Sequence, residues 1–271
     1  MLGKLIKYDL SATWRMMLAL DAVIIFLGIL AGTGLRAVPH IDDSAGISLL
    51  MFASVSLVYV GIFAASIVTI IFITMRFYRN LYTSEGYLTF TLPVKTDLII
   101  HSKVITGTLW MFLCYICMIT AIILAGSGFV SATNAAADEV VTSFGEMYSF
   151  MGFQNPGLIA ALIITFIITP FATVVNMYFC VSIGQLWQSH KILGTILCVI
   201  GLYVFNQILS MGIMFGSGFW QLLTLSGEEI DAMIGGIYTK IMLSISIMTL
   251  IESIIFYVVS LIINRKKVNL D

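Results

Sequence analysis

Residues 158–185 read LIAALIITFIITPFATVVNMYFCVSIGQ, a run without a single charged side chain. A helix needs about 20 mainly apolar residues to cross the hydrocarbon core of a bilayer. Five further runs of this kind lie at 16–35, 47–74, 104–130, 192–215 and 237–263. The sequence therefore predicts an all-α integral membrane protein with six transmembrane helices.

The composition of the whole chain agrees with six spans. Of its 271 residues, 60% are hydrophobic and 10% are charged, and the mean hydropathy is +1.06. A soluble globular domain cannot have this balance, because too little polar surface would remain to face water. The length predicts one transmembrane domain over 1–271. No basic block stands apart from the spans, which argues against nucleic acid as a partner.

The distribution of charge predicts the orientation of the spans. Only Arg36 and Lys240, of the 13 Lys and Arg residues, fall on one side of the six spans. The basic residues of the other side are Lys4, Lys7, Arg15, Arg76, Arg79, Lys95, Lys103, Lys191, Arg265, Lys266 and Lys267. Basic segments stay in the cytosol, so both termini are predicted to be cytosolic. The acidic segments 131–157 and 216–236 are then extracellular.

The N-terminal segment 1–15 is amphipathic, with apolar residues at near-helical spacing and Lys4, Lys7 and Asp9 between them. A basic amphipathic helix before a span can lie in the membrane interface. The pattern favours such an interfacial helix over a simple extension of the first span.

The longest cytosolic segment, 76–103, reads RFYRNLYTSEGYLTFTLPVKTDLIIHSK. Gly86 and Pro93 interrupt it, and Thr96 or Asp97 can cap the helix that follows. The segment predicts two helical extensions of spans two and three that carry a short helix between them. Such a helix suits the docking of a cytosolic partner, and an ordinary solvated loop is an equal alternative.

The motifs of several enzyme and metal-site classes are missing from the sequence. It contains neither a P-loop nor an H-E-x-x-H motif, and its three histidines lie in three separate connections. All four cysteines, including the pair Cys114 and Cys117, lie in apolar runs, where a thiol acts as a small packing group. The sequence therefore predicts no catalytic residue and no metal site.

Polar side chains inside the spans are the next candidates. They are Asp21, Asn176, Asn206, Gln207 and Glu252. A charged group at the bilayer centre costs about 2.5–3.5 kcal/mol on insertion scales, so Glu252 must face protein or water, be protonated, or have a partner. These residues either line a polar or proton pathway or form structural hydrogen bonds between helices. For the amides we favour the structural role, and for Glu252 both roles stay open.

Glycine pairs at a spacing of four mark close helix approaches. Gly28 and Gly32 form such a pair in span one, and Gly212 and Gly216 form another in span five.

Two stretches resemble a known family. The opening MLGKLIKYDL at 1–10, followed by a span, resembles the start of ABC-2-type permeases, the membrane subunits of bacterial ABC exporters. The stretch EGYLTFTLPV at 85–94, with Ser102 and Lys103 opening span three, is similar to their cytosolic loop. The layout of six spans with both ends in the cytosol also matches.

The resemblance implies a division of labour between subunits. A separate ATPase subunit would bind ATP and Mg, so this chain would hold no cofactor and would not itself be an enzyme. The short coupling helix would dock that subunit, with help from the N-terminal interfacial helix. The docking residues would be Thr83, Ser84, Glu85, Gly86, Tyr87, Leu88 and Phe90.

The resemblance also implies a dimer and a substrate class. A second copy of this chain, or a related permease, would complete the pathway, with spans one, two and five at the dimer groove. Gly28, Gly32, Gly212 and Gly216 would pack in that dimer. The chain would lie in a bacterial plasma membrane among lipids and export amphipathic, antimicrobial or toxic peptides. Export of lipids or drugs is an alternative.

Two other functions are compatible with the residues. One is a proton-coupled secondary transporter that uses Glu252. Such transporters usually contain inverted repeats, and no internal repeat is evident in this sequence. The other is a membrane scaffold without transport, for which the short helix would be dispensable.

Overall fold

The computed structural model describes residues 2–37, 44–83, 86, 96–132, 145, 156–187, 190–218 and 228–266. Six long helices fill these ranges: α1 Leu2–Ala37, α2 Ser44–Tyr82, α3 Thr96–Ala132, α4 Pro156–Gly184, α5 Lys191–Gly216 and α6 Glu228–Lys266. Each is long and apolar enough to cross a membrane. The architecture is that of a multi-pass, all-helical membrane protein.

Each predicted span lies within one helix, apart from the last residue of the fourth. Most helices extend well beyond the predicted spans. With 39 residues, α2 is about 58 Å long at ~1.5 Å per residue, against a hydrocarbon core of about 30 Å. At least one end of α2 must therefore project from the hydrocarbon.

The N-terminal segment corrects one prediction. Residues 2–15 are the first turns of α1, which continues without interruption to Ala37. A separate interfacial helix over 1–15 is therefore wrong, and the alternative, an extension of span one, is right. The segment contains no proline, and its one glycine, Gly3, lies at the helix start, so nothing stops the helix before the span.

The first three helices pack around a parallel pair. Residues of α1 contact residues of α3 that lie 93 to 97 positions later in the sequence. This constant offset means that the two helices run side by side in the same direction. The α2 helix lies beside both, and its Thr69 hydroxyl accepts a hydrogen bond from Cys114 Sγ of α3 at 3.7 Å.

The last three helices repeat this arrangement. Residues of α4 contact residues of α6 that lie 78 to 82 positions later, so these two helices are also parallel. The α5 helix follows α4 through a tight turn in which Leu186 N–H donates to Ile183 O at 2.9 Å. Of its residues, only Gly194 is buried, so α5 is the helix least covered by the rest of the chain.

The largest buried cluster lies at the end of the bundle that carries the start of α1 and α3 and the end of α2, α4 and α6. We call this end the basic end. There the rings of Phe77 on α2 and Tyr178 on α4 stack with centroids 3.8 Å apart. Met17, Val104 and Trp110 pack around them. A smaller cluster of Ile24, Ala65, Cys114, Cys117 and Ala121 lies farther along α1, α2 and α3.

Candidate functional site

The segment predicted to dock a partner lies between two helices at the basic end. The α2 helix continues to Tyr82, and α3 begins at Thr96, so both predicted helical extensions of spans two and three are present. Gly86 is buried, and its N–H donates to Thr83 O at 2.7 Å, which forms a tight turn after α2. Of the predicted docking residues, Ser84, Glu85, Tyr87, Leu88 and Phe90 lie outside the described residues.

An ion cluster joins the helices on one side of this segment. It consists of Asp9, Arg76, Ser102 and Lys103. Asp9 of α1 forms an ion pair with Lys103 of α3 and accepts a hydrogen bond from Ser102 Oγ at 3.3 Å. Arg76 Nη2 of α2 lies 3.8 Å from the same carboxylate. The cluster therefore connects the start of α1 to the helices on both sides of the segment.

A chain of hydrogen bonds continues from the ion cluster toward the middle of the bundle. Trp110 Nε1 donates to Thr13 Oγ1 at 2.9 Å, and the Thr13 hydroxyl donates to Asp9 O at 2.8 Å. A small cavity of about 20 Å³, partly open to solvent, lies among these side chains. The cavity also contacts Thr106 of α3 and Tyr178 of α4. Four helices thus meet at this point.

A hydroxyl–amide cluster joins α2 to α4 and α6. It consists of Tyr82, Ser182, Ser260 and Asn264, all of which are buried. The Tyr82 hydroxyl donates to Asn264 Oδ1, and Asn264 Nδ2 donates to Ser182 Oγ at 3.1 Å. Ser182 and Ser260 hydroxyls lie 3.0 Å apart. The last turns of α2, α4 and α6 are therefore tied together.

Two further contacts tie α3 to α6 at the same end. Arg265 donates to both carboxylate oxygens of Asp97, at 2.6 Å and 2.5 Å. His101 Nδ1 and the Tyr257 hydroxyl form a hydrogen bond one turn farther along. Both helices that flank the segment are thus connected to α6 as well as to α1.

The predicted intramembrane polar residues divide into two groups. Asn206 Nδ2 of α5 donates to Glu252 Oε1 of α6 at 3.0 Å, and Glu252 is only 7% exposed. The structure thus brings this pair together. Asp21 Oδ2 and Asn176 Oδ1 are buried and have no hydrogen-bond partner among the described residues. Gln207 is exposed on α5.

The glycine pairs also differ from each other. A Cβ at Gly28 would lie 2.6 Å from Ala121 Cα, and one at Gly32 would lie 2.5 Å from Leu124 O. The structure therefore replaces the predicted dimer contact of Gly28 and Gly32 with an intrachain contact to α3. A Cβ at Gly212 or Gly216 would meet nothing within 4 Å, and their role in a dimer stays a prediction.

Sequence reasoning did not identify the two clusters as sites. A signal for the ion cluster exists, since Asp9 and Asp97 are acidic residues on the side where basic residues predominate, and both turn out to be ion-paired. The signal for the hydroxyl–amide cluster is weaker. Ser182, Ser260 and Asn264 are polar residues near span ends, where such residues are common.

No known protein-family model, curated protein or solved structure matches this chain.

Proposed function

We propose that this chain is the membrane subunit of an ATP-driven exporter of the ABC-2 permease type. A separate ATPase subunit docks on the segment between α2 and α3, through Thr83–Phe90, at the basic end. That end then faces the cytosol of a bacterial cell, as the distribution of charge predicts. The observation that carries the proposal is that this segment lies between two helices, α2 and α3, which are connected to α1, α4 and α6 at the basic end.

The length of the flanking helices supports this function. The α2 and α3 helices have 39 and 37 residues, which exceeds the roughly 20 needed to cross the hydrocarbon. Helical extensions transmit a displacement as rigid bodies, whereas a flexible loop would absorb it. A partner that pushes on residues 83–95 would therefore move α2 and α3 along their length.

The two clusters extend this coupling to the rest of the bundle. The ion cluster connects the moving helices to α1, and the hydroxyl–amide cluster connects α2 to α4 and α6. The Asp97–Arg265 ion pair connects α3 to α6. ATP-driven motion of the docked subunit would thus reach five of the six helices through contacts at the basic end.

The substrate and the second permease chain follow from the same proposal. The span surfaces are apolar, with exposed residues such as Phe52, Phe63 and Phe205, which suits contact with an amphipathic peptide. The open glycines of α5, Gly212 and Gly216, leave room for a second copy or a related permease. Lipid or drug export uses the same apolar surfaces and remains the alternative substrate class.

The test is co-purification with the ATP-binding protein encoded next to this chain. We expect a complex that hydrolyses ATP, lost in Glu85→Arg and in Gly86→Pro, because proline removes the N–H that donates to Thr83 O. His190→Arg is the matched control, since this exposed residue lies in the other connection at the basic end. If the chain purifies alone, or if all three variants behave alike, the proposal is wrong.

The Asn206–Glu252 pair favours a second candidate, a proton-coupled transporter. Ionisable residues inside membrane spans often mark proton relays in pumps and transporters. This function requires transport without an ATPase and its loss in Glu252→Gln. An ATPase-dependent exporter that tolerates Glu252→Gln would rule it out.

A further inference from the structure

The turn between α4 and α5 brings the backbones of the two helices into contact at a pair of glycines. A Cβ added at Gly194 would lie 3.3 Å from Gly184 Cα, and one added at Gly184 would lie 2.7 Å from Thr195 N. Small residues at a crossing allow such close approach of two membrane helices. The end of α4 and the start of α5 are therefore held against each other at this point.

One helical turn away from this contact, two cysteines face each other. Cys180 lies four residues before Gly184, and Cys198 lies four residues after Gly194, so each cysteine shares a helix face with its glycine. The Cys180 thiol hydrogen-bonds to the Cys198 thiol, and both cysteines are reduced. A disulfide requires two Cα atoms within about 7 Å of each other. Facing positions beside a glycine contact fit this requirement.

The two thiols differ in their exposure. Cys180 is 1% exposed, whereas Cys198 is partly exposed on α5, the helix least covered by the rest of the chain. An oxidant therefore reaches Cys198 first and finds Cys180 directly behind it. An accessible thiol beside a second thiol is the arrangement of redox-sensing cysteines. Cys114 and Cys117 lack this asymmetry, because both are buried.

We propose that Cys180 and Cys198 are a reversible oxidation site that closes as a disulfide between α4 and α5. The oxidant is hydrogen peroxide, which is small and uncharged. The Cys198 sulfur attacks one peroxide oxygen, the O–O bond breaks, and the thiol proton leaves with the second oxygen as water. The Cys180 sulfur then attacks the resulting sulfenic acid, the S–O bond breaks, and a second water leaves. The two thiols together lose two electrons, and the peroxide gains them.

The disulfide fixes the position of α5. Farther along, α5 is joined to α6 by the hydrogen bond from Asn206 to Glu252, and a covalent link to α4 near the turn restricts its separation from the bundle. The site lies toward the basic end, where cytosolic thiols reduce exposed disulfides, so the link is transient. The inference does not depend on the exporter function.

The test counts free thiols in the purified full-length chain in detergent. The chain is treated with hydrogen peroxide, denatured, alkylated with N-ethylmaleimide and weighed by mass spectrometry. The chain has four cysteines, so we expect four alkylated thiols before oxidation and two after it, with recovery of all four in dithiothreitol. Peptide mapping should identify the link as Cys180 to Cys198. The thermal unfolding midpoint should rise by a few degrees on oxidation, because the cross-link restricts the unfolded chain.

Two glycine variants test the geometry. Gly184→Ala places a Cβ against Thr195 N and forces the helices apart, so it should lose most of the disulfide. Gly201→Ala, with nothing within 4 Å, is the matched control and should keep it. The proposal is overturned if all four thiols stay alkylated at peroxide concentrations that oxidise dithiothreitol, or if a different pair of cysteines is linked. Conversion of Cys198 to a sulfinic acid without a disulfide, or equal yields in the two glycine variants, would also overturn it.

Discussion

The α1/α3 pair and the α4/α6 pair have the same layout. In each, two parallel helices lie beside a third helix that runs in the opposite direction. Different side chains hold the two pairs together. Along α1 and α3, Gly28 and Gly32 let the backbones touch at Ala121 and Leu124. At the basic end, this pair is closed by the Asp9–Lys103 ion pair. The α4/α6 pair is joined by hydroxyls and an amide, at Thr165–Ser246 and around Ser182, together with the stacked rings of Phe179 and Phe256.

The difference shows two ways in which helices associate where no water is expelled. Close backbone approach gains dispersion contacts over a long stretch, but a single added carbon atom destroys it. Hydrogen bonds between small polar side chains act at separate points, and each contributes modestly. We therefore expect α1/α3 to be sensitive to side-chain size and to charge, and α4/α6 to lose stability in smaller steps.

The largest effect is expected for Gly28→Leu. The atoms nearest to the new Cβ include the backbone of Ala121, which cannot turn away as a flexible side chain would, so α1 and α3 must separate. We expect a loss of about 3 kcal/mol or more, since overpacking of a tight interface reaches that range. The measure is the monodisperse fraction in size-exclusion chromatography after heating in detergent. Gly34→Leu, with nothing within 4 Å, is the control, and equal stability of the two variants would contradict the packing described.

A somewhat smaller effect is expected for Lys103→Met. The change leaves the Asp9 carboxylate, which is 13% exposed, with the Ser102 hydroxyl at 3.3 Å and Arg76 at 3.8 Å. We expect a cost of about 3 kcal/mol, as for a buried ion pair that loses one partner. Asp9→Asn in the same chain should recover part of this loss. Unfolding midpoints of the two single variants and the double variant form the cycle, with Lys7→Met as the exposed control. Strict additivity would mean that the pair contributes no coupling energy.

In the other pair, Asn264→Leu removes the centre of the hydroxyl–amide cluster. The change removes the hydrogen bonds of Asn264 with Tyr82 and Ser182. Tyr82 keeps its bond to Ser182 at 3.2 Å, and Ser182 keeps its bond to Tyr178 O at 2.8 Å, so the loss is that of two hydrogen bonds between helices, about 1–2 kcal/mol in total. We expect the unfolding midpoint to fall, and to fall by less than in Lys103→Met. Gln207→Leu, on an exposed position, should leave the midpoint unchanged.

The smallest effect is expected for Ser246→Ala. Its hydroxyl lies 2.6 Å from Thr165 Oγ1, but Thr165 also donates to Ala161 O at 2.8 Å and stays satisfied without it. The loss should be close to the average of about 0.6 kcal/mol for hydrogen bonds between membrane helices. A loss as large as that of Asn264→Leu would show that this contact, too, belongs to a cooperative network.

The sequence predicted the positions of the helices well, but it did not predict which helices pack against each other. Six helices long and apolar enough to span a membrane are confirmed at the predicted positions, because the length of an apolar run is a local property. The role of Gly28 and Gly32 was assigned to a second chain, although Ala121 and Ala125 in span three offered a matching small surface. The spacing of small residues marks a close approach, but it does not say which helix approaches.

The prediction of a separate interfacial helix over residues 1–15 was wrong for a similar reason. An amphipathic pattern over residues 1–15 is compatible with a membrane surface or with a protein surface, since both are apolar on one side. The structure places this segment against α3, with Asp9 at Lys103 and Thr13 at Trp110. The charged residues that looked like an interfacial face are in part contacts between helices.

What the sequence determined by itself is the number and the apolar character of the helices, because these depend on the transfer of each segment from water to lipid. Only the tertiary structure decided that α1 pairs with α3 and α4 with α6, that Glu252 meets Asn206, and that Arg76 and Thr106 share a cavity. Those choices depend on contacts between residues from about 30 to almost 100 positions apart, and no local pattern specifies them. Lipid is as apolar as the helices, so their pairing is decided by the fit of small and polar side chains.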